Sequence, residues 1–211
     1  MSNHKAPFIT FEGGEGSGKS TQINMLYRKL LQAGVNVVSY REPGGTKGAE
    51  EIRALLMEGE SVRWTAKAEA LLMSAARADL VQKHIVPELA GGAWVLCDRF
   101  TDSTVAYQGY GHQLGYEPML ALNKFTVGTL EPDLTFIFQI SPALGLERVE
   151  QRNINKTRFD CFDLEFHHRV DEGYAEILKN NPKRCIAINA LLDIDKVEQL
   201  IFEEVRVRFG I

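Results

Sequence analysis

Gly13-Gly14-Glu15-Gly16-Ser17-Gly18-Lys19-Ser20 fits the pattern G-x-x-x-x-G-K-[ST], the phosphate-binding P-loop. Its neighbours supply the context the motif needs. Phe8-Ile9-Thr10-Phe11 ahead of it is β-branched and aromatic, as a buried strand should be. Behind it, Ile23, Leu26, Leu30 and Leu31 recur at helical spacing within Gln22 to Leu31. A loop that joins a strand to a helix N-terminus aims unpaired N–H groups and the positive end of the helix dipole at an anion. Glycines tolerate positive φ and carry no side chain, so the backbone can wrap a phosphate closely. The expected nucleotide-binding segment is Gly13, Gly14, Glu15, Gly16, Ser17, Gly18, Lys19, Ser20 and Thr21. Within it Lys19 reaches the β- and γ-phosphates and the Ser20 hydroxyl ligates Mg²⁺.

The rest of the chain continues the pattern. Asn36 to Arg41 reads as a second strand, followed by the Pro/Gly-punctuated loop Glu42-Pro43-Gly44-Gly45-Thr46. Glu50 to Met57 reads as a short helix, and Ala66 to Leu89 as a longer one kinked near Pro87. Strands are expected at Ala93 to Asp98, Leu134 to Ile140 and Arg184 to Asn189, with a closing helix over Asp193 to Phe209. Near-continuous apolar strands separated by helices predict an α/β fold, a five-stranded parallel sheet in three layers with helices on both faces. Ligands in such sheets bind beyond the C-terminal strand ends. The P-loop, Arg41-Glu42-Pro43 and Asp98-Arg99 all fall at such ends, as one active site requires.

Composition bounds the alternatives. A chain of 211 residues reads as one domain, residues 1–211. No apolar run approaches the roughly 20 residues of a membrane span, and Met1 to Pro7 lacks a signal-peptide apolar region, so a cytoplasmic protein with no membrane partner is expected. The net charge of −4 argues against a broad nucleic-acid surface, yet leaves room for a local basic cluster around a small anion. Cys97, Cys161 and Cys185 are widely spaced with no CxxC, which predicts reduced, buried or half-buried thiols. His167 and His168 are sequence neighbours on a predicted helix and do not share a face, so a two-histidine metal site is not expected, and exposed or capping roles are.

A GTPase would show Asn-Lys-x-Asp and Asp-x-x-Gly, and neither occurs. What does occur is Arg41-Glu42-Pro43-Gly44-Gly45-Thr46, then Asp98-Arg99-Phe100, then Ser103-Thr104-Val105-Ala106-Tyr107-Gln108-Gly109. Together with Lys67 to Arg77, Arg158-Phe159-Asp160, Arg169-Val170 and Gly173-Tyr174, this resembles the thymidylate kinases, P-loop nucleoside monophosphate kinases that phosphorylate dTMP to dTDP. The resemblance runs in order from Phe8 to about Tyr174 and is to the bacterial type, with basic residues in a lid. It implies ATP and dTMP as substrates, Mg²⁺ as cofactor and a homodimer. Two further classes stand beside it: a P-loop kinase for another monophosphate, and a non-enzymatic nucleotide-binding protein. Tyr107-Gln108-Gly109 with Arg77 speaks against the first, and intact Lys19, Ser20, Asp98 and Arg99 against the second.

The resemblance also assigns roles. Arg41 lies beside the monophosphate site, and Glu42 and Pro43 border the deoxyribose and base. Arg53 and Arg99 bind the acceptor phosphate, a task suited to guanidinium forks. Asp98 is the strand-end carboxylate that holds Mg²⁺ together with Ser20. Arg77 hydrogen-bonds thymine; Ser103, Thr104 and Gln108 line the base and sugar pocket; Tyr107 crowds the sugar 2′ position; and Glu15 approaches the sugar hydroxyl. Met73 stands where the family usually has an aromatic ring stacked on thymine, and Gln139 where an aspartate is common. One branch of the family carries a basic residue in the P-loop directly after the acidic one, a position held here by Gly16. The transition-state charge is then expected from a lid over about 148–160, with Arg152 and Arg158 the leading candidates and Arg148 behind them.

Overall fold

The computed structural model describes residues 6–151 and 157–211. In chain order the elements are β1 (Phe8–Gly13), α1 (Lys19–Gln32), β2 (Val37–Arg41), α2 (Lys47–Met57), α3 (Ala66–Leu80), α4 (Val86–Gly91), β3 (Trp94–Asp98), α5 (Thr101–Thr104), α6 (Tyr116–Val127), β4 (Leu134–Gln139), α7 (Pro142–Gln151), α8 (Leu164–Asn180), β5 (Cys185–Asn189) and α9 (Ile194–Phe209). The five strands pair in parallel in the order β2-β3-β1-β4-β5. The P-loop strand is therefore central, with Asp98 beside Phe11 on one flank and β4 on the other.

Burial follows position in the sheet. All of β1 and nearly all of β4 are buried, because helices cover both faces. The edge strands β2 and β5 alternate between buried and open residues. One face packs Ile9, Phe11 and Phe136 against Leu26 and Leu30 of α1 and Ile201 and Val205 of α9. The other divides into a cluster of Phe8, Val95 and Cys97 with Leu80 and Ile85, and a second of Ile137 and Tyr107 with Val170, Tyr174 and Ile177 of α8.

Several expectations need correction. The long helix over 66–89 runs on to Gly91 but is not uniform: a wide π turn over Val81–Ile85 separates α3 from α4. The distortion precedes Pro87, which lacks an N–H to continue a regular ladder. A second wide turn, Val105–Gly111, follows α5. His167 is not exposed: at 4% it is turned inward with the stripe Phe166, Val170 and Tyr174 of α8, and its ring bonds the Phe159 backbone. Cys161 is exposed, whereas Cys97 and Cys185 are buried, and all three are free thiols. Gln139 ends β4 exposed, and the structure gives it no role. Among the described residues no helix is long and apolar enough to cross a membrane.

Candidate active site

At the C-terminal ends of β1, β2 and β3 lies one cleft. Along its wall run P-loop residues 15–21 together with Glu42, Pro43, Arg53, Met73, Arg77, Asp98, Arg99, Ser103, Thr104, Tyr107 and Gln108. Every residue expected to bind the acceptor nucleotide thus faces one space.

The P-loop is organised around its lysine. Lys19 opens α1, and its Nζ donates to the carbonyls of Gly13 (3.0 Å) and Gly14 (2.8 Å) and to Ser17 Oγ (3.1 Å). It is buried. That burial, with the Arg99 charge nearby, lowers its pKa to about 8 against the pull of Asp98, Glu15 and Glu12. Gly18 caps α1 at φ 91° without a side-chain hydrogen bond, so the first N–H groups of the helix have no side-chain cap. Above the loop, Gly16 (φ 65°) and Gly145 of α7 face each other so closely that a Cβ on Gly16 would strike the Gly145 carbonyl, and one on Gly145 the Glu15 carbonyl.

Ser20 Oγ donates to Asp98 Oδ2 over 2.6 Å. A hydroxyl and a carboxylate in contact beside a phosphate cradle form an all-oxygen donor pair that suits Mg²⁺, which takes few protein ligands and leaves the rest to phosphate and water. Among the described residues no group of three or more His, Cys, Asp or Glu could hold a metal by itself.

Arg99 is the hub of the cleft. Its Nη1 donates to Gly13 O (3.0 Å), Ser103 Oγ (3.2 Å) and Tyr174 Oη (3.3 Å). Its Nη2 donates to Glu15 Oε1 (2.8 Å) and Tyr107 Oη (3.1 Å), and the guanidinium lies 4.8 Å from the centre of the Tyr107 ring. Burial pushes Glu15 up, but Arg99, Lys19 and the Tyr107 hydroxyl outweigh it and hold its carboxyl below the usual range. Arg53 Nη1 donates to the Pro43 carbonyl (2.9 Å), and Arg41 reaches the same oxygen and Glu50.

Deeper in, Arg77 Nε donates to Glu42 Oε2 (2.7 Å), Nη1 to Thr104 Oγ1 (2.6 Å) and Asn123 Oδ1 (3.3 Å), and Nη2 to the Phe100 carbonyl (2.8 Å). Glu42 Oε1 is buried and unpartnered among the described residues. Gln108 Nε2 donates to Glu69 Oε1 at 2.8 Å.

The lid arginines separate. Arg158 is 1% exposed and does not serve the cleft. Its Nε donates to Leu56 O (2.9 Å), its Nη1 to Ser61 O (2.9 Å), and its Nη2 pairs with Glu69. The expectation that Arg158 acts on the transferring phosphate is corrected: its donors are spent on these acceptors, and its guanidinium lies over the Phe159 and Phe162 rings, 4.7 and 5.5 Å from their centres. Arg148 Nη1 donates to Ala190 O (3.1 Å). Arg152 lies outside the described residues. Sequence reasoning missed Glu12, Glu69, Met57, Thr157 and Phe159, the last three of which line the cleft.

Comparison with known proteins points one way. A family model described as Thymidylate kinase matches residues 11–201. A thymidylate kinase of Caulobacter vibrioides is 47% identical over 204 residues, 97% of this chain and 98% of its own. One from Shouchella clausii is 45% identical over 202 residues, 95% of each chain. The crystal structure of a thymidylate kinase from Ehrlichia chaffeensis superposes with a TM-score of 0.79 at 36% identity, covering 95% of this chain and 98% of that one.

Proposed function

The chain belongs to the thymidylate kinase family, and from that membership we propose how its own residues carry the γ-phosphate of ATP to dTMP, giving dTDP and ADP. The observation that carries the proposal is Arg99, which bridges the P-loop through Gly13 and Glu15 and faces the acceptor pocket beside Tyr107. A group so placed touches both halves of the reaction.

The acceptor phosphate has a second pKa of about 6, so at pH 7 it is already a dianion and needs no general base. The task is to hold two polyanions in line and to stabilise the charge of the group in flight. Lys19 exchanges the Gly13 and Gly14 carbonyls for phosphate oxygens of ATP. The α1 N-terminus supports the same anion. Arg53 and Arg99 fork onto the acceptor phosphate. Glu42, Arg77, Thr104 and Gln108 read the base, and Tyr107 and Glu15 the sugar. Ser20 and Asp98 would hold Mg²⁺, which when bound supplies positive charge to the donor phosphates. Arg152 remains the lid candidate on sequence grounds.

The chain is read as one kinase domain, cytoplasmic and homodimeric. Leu71 on α3 and Phe125 on α6, 61% and 91% exposed on helices that pack together, offer apolar surface for a second copy. Phe125→Asp should then give a monomer by sedimentation. The decisive assay is ADP release across dTMP, dUMP, dCMP, AMP and GMP. Turnover greatest with a monophosphate other than dTMP would overturn the assignment of the base pocket.

A further inference from the structure

Glu12 is the last side chain of β1 before the P-loop, and it does not line the cleft. It is 0% exposed beneath the cleft floor. Its carboxylate is fully engaged. Oε1 accepts the Phe100 N–H at 2.7 Å, and Oε2 accepts the hydroxyls of Ser103 (2.5 Å) and Tyr174 (3.1 Å). Those same two hydroxyl oxygens are acceptors for Arg99 Nη1.

A hydroxyl has one proton and two lone pairs, and arginine can only donate. Ser103 Oγ and Tyr174 Oη also lie 3.0 Å apart, so their two protons are shared between Glu12 and the pair itself, and either arrangement leaves lone pairs facing the guanidinium. Glu12 therefore sets the polarity of the cushion under Arg99. It also grips the backbone. Phe100, whose N–H it takes, follows an Arg99 held at φ 70°, in the left-handed region that residues other than glycine seldom occupy.

We propose that Glu12 is a positioning residue for Arg99: by accepting from Ser103, Tyr174 and Phe100 it holds the Arg99 fork in the orientation that grips the phosphate of dTMP. The inference rests on the reading of Arg99 as the acceptor-phosphate clamp.

Only the ionised carboxylate can do this. A protonated Glu12 must donate to one of the two hydroxyls, which lie 3.0 Å apart, so the pair under Arg99 reorders its protons and the negative charge beneath the fork is lost. Burial raises the Glu12 pKa first and the Asp102 carboxylate raises it further, while Ser103, Arg99 and the Phe100 N–H lower it, leaving it at about 7. Lys19 and Arg184 add positive charge from two other elements, and Arg184 is itself tied to Asp102 at 2.7 Å. Tyr174, Cys97 and Cys185 face it as neutral groups, since burial pushes all three up, Cys185 to about 12. Affinity for dTMP should thus fall as pH drops through about 7, above the range where the ligand's own phosphate takes up its proton, at about 6.

The test is Glu12→Gln, Arg99→Ala and the double variant, with Kd for dTMP measured from about pH 5 to about pH 9 and KM for both nucleotides. Gln keeps the shape but places a donor where Oε2 accepts, or gives up the Phe100 bond. Glu12→Gln should raise the dTMP KM about tenfold, leave the ATP KM within about twofold, and erase the step in Kd near pH 7 while keeping the one near 6. On the Arg99→Ala background it should add nothing. An equal rise for both nucleotides, an unchanged step near pH 7, or additive losses in the double variant would each overturn the proposal. If Arg99→Ala alone leaves dTMP affinity intact, the clamp reading itself fails, an outcome seen without touching Glu12. Should Glu12→Gln not fold, Tyr174→Phe keeps the carboxylate and removes one hydroxyl, and it must show the same dTMP-selective loss to a smaller degree.

Discussion

Arg158 and Glu69 form an ion pair in which both side chains are 0% exposed. Around it, Glu69 takes Gln108 Nε2, with His112 Nε2 2.9 Å away, while Arg158 ties down the end of α2 and Ser61. Burial raises the Glu69 pKa, but His112, Arg158 and Gln108 together hold it below the usual range. The pair staples α2 and α3 to the segment before α8, behind the base pocket. Removing one partner leaves an uncompensated buried charge. Arg158→Ala is therefore expected to cost about 3–5 kcal/mol in urea unfolding, with kcat of the folded fraction nearly unchanged. A wild-type unfolding midpoint with kcat reduced would return Arg158 to the chemistry.

Lys19→Ala should abolish turnover. The charge matters most while the γ-phosphate moves, so the loss is expected in kcat, by at least about 10²-fold. Near-normal kcat would refute the P-loop role.

Lys19 should also mark the alkaline side of ATP binding. Its pKa in the free enzyme is lowered to about 8, and a bound polyphosphate pulls it back up, so binding takes up a proton. The sign follows: ATP affinity is flat below pH 8 and weakens above it. Calorimetry in two buffers of different ionisation enthalpy should show proton uptake at about pH 8.5 and little at about pH 7. Equal uptake at both would show that another group titrates.

Met73 is half-buried, lines the cleft and packs on the cluster around Tyr107. Replacement by Phe adds a ring face for thymine, worth roughly 1 kcal/mol, so the dTMP KM should fall or hold. Loss of stability with unchanged kinetics would make Met73 a core residue.

With Arg158 committed to Glu69, Arg152 carries the lid hypothesis, and Arg148 must first release Ala190 O. Arg152→Ala at saturating dTMP and ATP should lower kcat more than tenfold, about 1.4 kcal/mol, and Arg148→Ala less. No loss in either variant would place the charge elsewhere.

Strand positions, sheet direction and the cleft wall were legible because they depend on local signals: apolar runs, glycine spacing and polar residues at strand ends. Asp98 could be placed at the end of its strand, whereas its register opposite Phe11 came only with the sheet. What was not legible depends on distant partners. Arg158 reads as a lid arginine because Asn155-Lys156-Thr157 before it is polar; its acceptors, Leu56, Ser61 and Glu69, are about 90 to 100 positions away. His167 looks exposed until α8 is docked. Glu12 did leave a trace, a carboxylate at the end of an otherwise uncharged strand, and a charge in that place demands buried partners.

The contact between Gly16 and Gly145 limits which side chains the loop can carry. An arginine in the loop cannot be gained at position 16 by one replacement, since α7 occupies the space its Cβ would take. The helix would have to retreat in the same step, and it is the helix that carries Arg148. Each glycine leaves its side-chain position to a carbonyl oxygen of the other segment, so a side chain at either one requires the loop and α7 to part together.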